Sequence, residues 1–369
     1  MASTLDWVNL SLIPGLGLGG YWRLVKHFHD PAEVLRASRK QLLQVEGIQD
    51  RQISGFSSTE TSRRGEIELE RLAALGGMAV SFEDDGYPPL LHQLVDPPPV
   101  LYILGQSKLL CNPGVAVVGS RAATTYGRRI AYTLGRDLAS SSVTVISGLA
   151  LGIDAESHAG ALAANGNTVA VLGCGLDVIY PRQNRSLFQH IAESGALVSE
   201  YPLGTRPDGF RFPARNRIIA GLSRGVIVVE AAKRSGSLIT AQMALDCGRD
   251  VFAVPGQVDS CKSEGTHWLL QQGAKLVQRV EDITVELDLP CWSNMARTEK
   301  TSPQDENNFE IEPDALALLG HIEPYPQLRE MLLERSGLSP ARMSELLLLL
   351  ELDGLIEMLP GDTLRKVSG

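Results

Sequence analysis

Residues 209–241, GFRFPARNRIIAGLSRGVIVVEAAKRSGSLITA, place a strand, a loop and a helix in succession. The middle, Gly225 to Glu230, is a β-branched run short enough for a buried parallel strand. Lys233-Arg234-Ser235-Gly236-Ser237 follows as a small-residue loop opening onto a helix from Leu238 to Cys247. The same stretch carries Arg211, Arg215, Arg217, Arg224, Lys233 and Arg234 against one acid, Glu230, in a chain of net charge -9. Backbone N–H groups at a helix start, beside hydroxyls and a lysine, suit phosphate. Phe210 and Phe212 sit among the arginines, and rings interleaved with guanidinium groups suit single-stranded nucleic acid.

Outward from this stretch the same unit repeats. Between Gly114 and about Val280, apolar strands are expected at 115–118, 143–146, 168–172, 197–199, 226–229, 251–254 and 275–277. Helical stretches at 126–139, 153–164, 183–193, 238–247 and 263–272 separate most of them. Such alternation implies a doubly wound, mainly parallel α/β sheet whose ligands bind beyond the carboxyl ends of the strands. The loops expected at that edge are Gly119-Ser120-Arg121, Gly148 to Gly152, Gly173-Cys174-Gly175 and Lys233 to Ser237.

The flanks differ in character. Residues 1–65 suggest short helices with glycine turns and resemble a helix-hairpin-helix or sterile-alpha-motif-like module, nearly balanced in charge with 8 bases and 6 acids. Residues 66–290 comprise the α/β domain, entered through a helix, a strand at 78–82, a proline-rich segment and a strand at 100–104. Residues 291–312 are polar and are expected to form a linker. Residues 313–369 show three helices and a strand pair, a winged-helix-like pattern. From Ser302 onward there are 13 acids and 5 bases, a net of -8, so the recognition-helix position is acidic and unsuited to a duplex. We expect a protein-contact or regulatory module there.

Five cysteines, at 111, 174, 247, 261 and 291, show no zinc-ligand spacing, and no apolar run approaches the roughly 20 residues that span a bilayer. A cytoplasmic protein with no cofactor and no metal is expected. The acidic average argues against general polyanion binding, so any anion site must be local. GxGxxG is absent from the first strand–helix turn, Val178 stands where Gly173-Cys174-Gly175 would need a third glycine, and there is no GxxxxGK[ST] loop. Asp154 and His158 share a helix face, but the expectation is a carboxylate favouring the helix dipole and hydrogen-bonded by the histidine, not a catalytic pair. No nucleophile–base arrangement stands out elsewhere, so the chain is read as a binder and not an enzyme.

At these residues the chain resembles the DNA-processing protein A (DprA/Smf) family. The shared segments are Gly119-Ser120-Arg121, Ser147 to Asp154, Leu172 to Asp177 continuing to Tyr180-Pro181, and Ser199 to Pro202. Further matches are Phe212 to Ser223, Val229-Glu230-Ala231 and Ser235 to Ala241. The resemblance implies an extended Rossmann-like domain that binds single-stranded DNA, dimerises, protects incoming DNA in natural transformation and loads the RecA recombinase. It implies a DNA site using Gly119, Ser120 and Arg121, then Gly148, then Arg211, Phe212, Arg215 and Asn216, then Lys233, Arg234, Ser235, Gly236 and Ser237. Arginines and Lys233 would hold phosphates, glycines would admit backbone amides, and Phe212 would offer a stacking face. A nucleotide-processing phosphoribohydrolase on a related fold is the alternative; the PGGxGT loop and following glutamate of such enzymes are absent here.

Overall fold

The computed structural model describes residues 2–57, 60–289, 313–322, 327–352, 355–359 and 361–366. Two compact units emerge, Met1–Arg297 and Thr298–Gly369. The expected linker, 291–312, lies outside the described residues.

In the first unit nine strands form one sheet: β1 (Gly77–Ser81), β2 (Val100–Gly105), β3 (Gly114–Val118), β4 (Thr144–Ser147), β5 (Thr168–Val171), β6 (Ala196–Ser199), β7 (Gly225–Val228), β8 (Asp250–Ala253) and β9 (Lys275–Leu276). Their order is β1-β2-β6-β5-β4-β3-β7-β8-β9. From β6 to β9 all pairings are parallel, while β1 and β2 join antiparallel at the β6 side. Every residue of β3 to β7 is buried, which is why these strands are continuous apolar runs and not alternating ones. The chain leaves β3 toward β4 on one side and returns to β7 on the other. Their carboxyl ends therefore flank a topological switch point.

Six helices precede the sheet: α1 (Thr4–Ser11), α2 (Gly17–Phe28), α3 (Pro31–Arg36), α4 (Arg39–Leu42), α5 (Asp50–Ile53) and α6 (Glu60–Ala74). They share a core with it. Trp7, Tyr21 and Trp22 pack in one cluster with Val100, Tyr102 and Leu197. Trp22 lies edge-on to Phe82 at 4.8 Å between centroids and donates its Nε1–H to the Pro97 carbonyl at 2.8 Å.

Seven helices cover the sheet: α7 (Thr125–Ser140), α8 (Ile153–Ala163), α9 (Arg185–Ser194), α10 (Arg211–Leu222), α11 (Gly236–Asp246), α12 (Glu264–Gln271) and α13 (Glu281–Thr284). Helices α7 and α8 cross at two glycines. A Cβ on Gly135 would collide with the Ser157 carbonyl, and one on Gly160 with the Tyr132 carbonyl. Helix α10 is the element that the strand–helix alternation did not include. Pro213 stands in its first turn and Gly221 within its last, and it buries Ile218, Ile219, Ala220 and Leu222. Gly221 packs against Leu91 and Leu94. The polar residues of α10, Arg211, Arg215, Asn216 and Arg217, precede the apolar run from Ile218, so no helical stripe shows in the sequence.

The second unit holds α14 (Pro313–Gly320), β10 (Gln327–Leu328), α15 (Arg329–Ser336), α16 (Pro340–Leu352), β11 (Ile356–Leu359) and β12 (Thr363–Lys366). Its sheet order is β10-β12-β11, the three-stranded wing of a winged helix. Helix α16 buries Met343, Leu346, Leu347 and Leu350 and exposes Glu345, Leu348, Leu349 and Glu351. Its arginine, Arg342, pairs with Asp314 and Glu345.

Because Trp7 is 1% exposed inside the shared core, Trp7→Ala should lower the unfolding free energy by about 3–5 kcal/mol. Urea unfolding followed by circular dichroism measures this; a change under about 0.5 kcal/mol would show that the helices do not share the sheet's stability.

Candidate nucleic-acid interface

Loops after β3, β4, β5 and β7 meet at the carboxyl edge. The loop after β3 is fixed by Glu230, the lone acid of the basic stretch. Its carboxylate accepts from the Thr124 backbone N–H at 3.1 Å and the Thr124 hydroxyl at 2.6 Å. Thr124 caps α7 by accepting from the Gly127 N–H at 3.0 Å. The Ser120 N–H donates to the Glu230 carbonyl at 2.8 Å. Glu230 thus orders the Gly119-Ser120-Arg121 turn instead of neutralising an arginine.

Arg215 lies beneath the next loop. It is only 4% exposed, and its Nη1 donates to the Gly148 carbonyl at 2.9 Å and to the Val171 carbonyl at the end of β5. The Asn216 side chain accepts from its Nε at 3.3 Å. A side chain on Gly148 would strike this guanidinium, so glycine there makes room for an arginine of the protein itself. Burial brings Arg215 down to about 10, leaving it charged at neutral pH. Asp154 faces it and accepts from the N–H groups of Gly148 at 3.2 Å and Ala150 at 3.4 Å. Burial raises the Asp154 carboxyl, with Arg215 and the two amides opposing that rise.

His158 does not bond Asp154. Its Nδ1 meets the Thr168 hydroxyl at 2.7 Å, and that hydroxyl donates to the Val145 carbonyl at 2.9 Å. Nδ1 must therefore carry the proton, and Nε2 is a buried acceptor with no hydrogen-bond partner among the described residues. Burial, aided by the Arg215 charge, pushes His158 down to about 3. Asp154 and His158 serve two separate internal networks.

Above Arg215 opens a small cleft of about 60 Å³, lined by Arg121, Gly148, Ala150, Leu151, Leu172, Gly173, Cys174, Tyr180, Pro181, Phe212 and Arg215. The exposed Arg121 guanidinium lies 5.1 Å from the Phe212 ring centroid, and Tyr180 stacks on Phe212 at 5.4 Å and 25°. The Cys174 thiol, raised to about 11 by burial, donates to the Val178 carbonyl at 3.3 Å. Of the expected site residues, the cleft brings together Arg121, Gly148, Phe212 and Arg215.

The others lie outside it. Lys233 and Arg234 are exposed and form no ion pair among the described residues. Ser235 caps α11, accepting from the Ser237 N–H at 3.4 Å, and Gly236 faces open space. Arg211 donates to the Arg206 carbonyl at 2.5 Å and lies over Tyr201 and Phe210. Arg217 pairs with Glu200 inside the fold. Tyr180 was visible within a shared segment but carried no role; its place after β5, at the carboxyl edge, was the available signal. No group of three or more His, Cys, Asp or Glu is placed to hold a metal ion among the described residues, and none of their helices is long and apolar enough to cross a membrane.

Comparison with known proteins places this geometry. The model of the DNA recombination-mediator protein A family matches residues 78–288, more than half the chain. The chain belongs to this family. Residues 299–362 match the DprA winged helix domain. The chain is 34% identical to protein Smf of Synechocystis sp. over 387 residues, covering 96% of each. It is 48% identical to the DNA processing protein DprA of Streptococcus pneumoniae over 208 residues, covering 56% of this chain and 73% of the relative. The X-ray structure of DprA from S. pneumoniae superposes with a TM-score of 0.69 at 37% identity, covering 78% of this chain and 99% of that one. A structure addressing the single-stranded DNA binding mode of DNA processing protein A from Helicobacter pylori superposes with a TM-score of 0.52 at 34% identity, covering 57% and 97%.

Two predictions separate inner from outer residues. Arg215→Ala should cost about 3–5 kcal/mol of stability, since it leaves Asp154 buried without its counter-charge. Arg121→Ala and Lys233→Ala, on exposed side chains, should each cost under about 0.5 kcal/mol; chemical denaturation of the three variants checks the contrast. For His158 the folded value is depressed below the ordinary 6.5, so the unfolded chain binds more protons between about 3 and 6.5. Stability tied to His158 is complete above 6.5 and drains as pH falls, by up to about 1.4 kcal/mol per unit. His158→Gln should flatten the acid side of the unfolding profile relative to wild type, and parallel profiles would refute this.

Proposed function

We propose that the protein is a single-stranded DNA-binding recombination mediator that protects incoming strands and loads the RecA recombinase onto them during natural transformation or recombination. The observation that carries this reading is the cleft in which the Arg121 guanidinium lies over Phe212 while Tyr180 stacks on the same ring. One opening thus offers charge for a phosphate and flat apolar faces for an unpaired base. A duplex keeps its bases stacked and presents no such face. The single-stranded DNA binding mode addressed for the H. pylori relative supports the same ligand here.

In this reading Gly119, Ser120, Arg121, Gly148 and Phe212 form the inner contact surface. Arg215 and Asn216 support it from behind, and Arg211 and the Lys233 to Ser237 loop act as outer phosphate contacts. The protein acts as a homodimer through its α/β domain. The hand-over to RecA rests on the family resemblance.

Binding of fluorescent single-stranded and duplex oligonucleotides across a salt series tests the reading. We expect a salt-sensitive preference for the single strand, lost in Arg121→Ala/Lys233→Ala. Equal affinity for duplex, or an unaffected double variant, would overturn it. Light scattering should give twice the chain mass.

A further inference from the structure

Beyond Tyr180, the segment after β5 carries two arginines that the residues assigned so far do not use. From Val178 to Ala192 the chain has no acidic residue, although acids number 43 in 369. Tyr180 and Pro181 line the cleft. Arg182 opens a short 3-10 turn ending at Asn184, and Arg185 begins α9. Both arginines are exposed, and neither pairs with a carboxylate among the described residues. A cation in the first turn of a helix opposes the helix dipole, so the stability of α9 does not account for Arg185. The turn itself is held firmly. The Asn184 side-chain amide donates to the carbonyls of Leu149 at 2.9 Å and Ala150 at 3.3 Å, tying it to the loop that forms the cleft floor.

We propose that Tyr180, Arg182 and Arg185 form a second strand-binding station, with Tyr180 a stacking platform for a base and the two arginines phosphate contacts. The proposal rests on the cleft holding single-stranded nucleic acid and adds where the strand goes next. In the order β5-β4-β3-β7, this station and the Lys233 loop follow strands three spacings apart, about 14 Å at roughly 4.8 Å per strand. A strand engaging both crosses the carboxyl edge of the sheet and does not leave by the flank it entered. Tyr180 is 40% exposed and stacked on Phe212, so a base laid on its free surface continues an existing ring stack.

The test compares wild type, Arg182→Gln/Arg185→Gln and Arg121→Ala/Lys233→Ala, each confirmed folded by circular dichroism, with fluorescent oligothymidylate between about 50 and 200 mM salt. Losing two phosphate contacts should weaken binding several-fold and reduce the slope of log affinity against log salt by about 1.4, at roughly 0.7 per contact for single strands. Unchanged affinity and slope in Arg182→Gln/Arg185→Gln, with binding lost in Arg121→Ala/Lys233→Ala, would overturn the second station and leave the cleft standing. Failure of wild type to bind would overturn both. In a second arm, Tyr180→Leu should narrow the preference of wild type for oligothymidylate over an abasic strand of equal length; an undiminished preference would remove Tyr180 from the station.

Discussion

Arg215 under Gly148 is the contact on which the site depends. One guanidinium joins the end of β5, through the Val171 carbonyl, to the loop after β4, through the Gly148 carbonyl, and it balances the charge of Asp154. Asp154 in turn holds the N–H groups of Gly148 and Ala150. Both polar ends of the loop's first residue are therefore tied to an opposite charge, and the loop cannot shift without stranding an ion in the interior. Phe212, one turn before Arg215 on α10, is set against the cleft by the same helix that delivers the strut. The ring over which Arg121 lies and the floor beneath it thus have a common support.

Much of this order is legible in the sequence. The β-branched runs at 115–118, 168–171 and 225–228 are strands because buried parallel strands need apolar residues on both faces, and nothing else in the fold competes for that pattern. Helix α10 is hidden because its polar residues precede its apolar ones along the chain and form no stripe, and Pro213 and Gly221 look like breaks. A charged residue among five other cations suggests an outward phosphate contact for Arg215, whereas the structure buries its guanidinium beneath the cleft. Only the three-dimensional neighbourhood shows that Asp154, about sixty residues earlier, supplies its counter-charge. The expected hydrogen bond from His158 to Asp154 failed similarly. Helical spacing put them on one face, but backbone amides had already engaged the carboxylate, and Thr168 on β5 met the imidazole.

The basic stretch thus divides by depth. Arg215 and Arg217 turn inward and are compensated, whereas Lys233 and Arg234 remain outside with no ion pair among the described residues. A chain of net charge -9 can present a cationic edge because the acid within that stretch is spent on a helix cap and the surplus of acids lies from Ser302 onward. The local field at the carboxyl edge, and not the average, is what an approaching polyanion meets within a Debye length of about 8 Å.

The crossing of α7 and α8 has a reach beyond its own contacts. Backbone touches backbone at Gly135 and Gly160, and the two helices are N-capped by Thr124 and Gly152, next to the turn that bears Arg121 and the loop that begins at Gly148. With no room for a side chain at that crossing, the spacing of the pair is fixed there, and its N-terminal ends lie beside the cleft loops. A single methyl added at the crossing would be felt as a change in the spacing of those ends. Two residues that do not line the cleft therefore help to set its width.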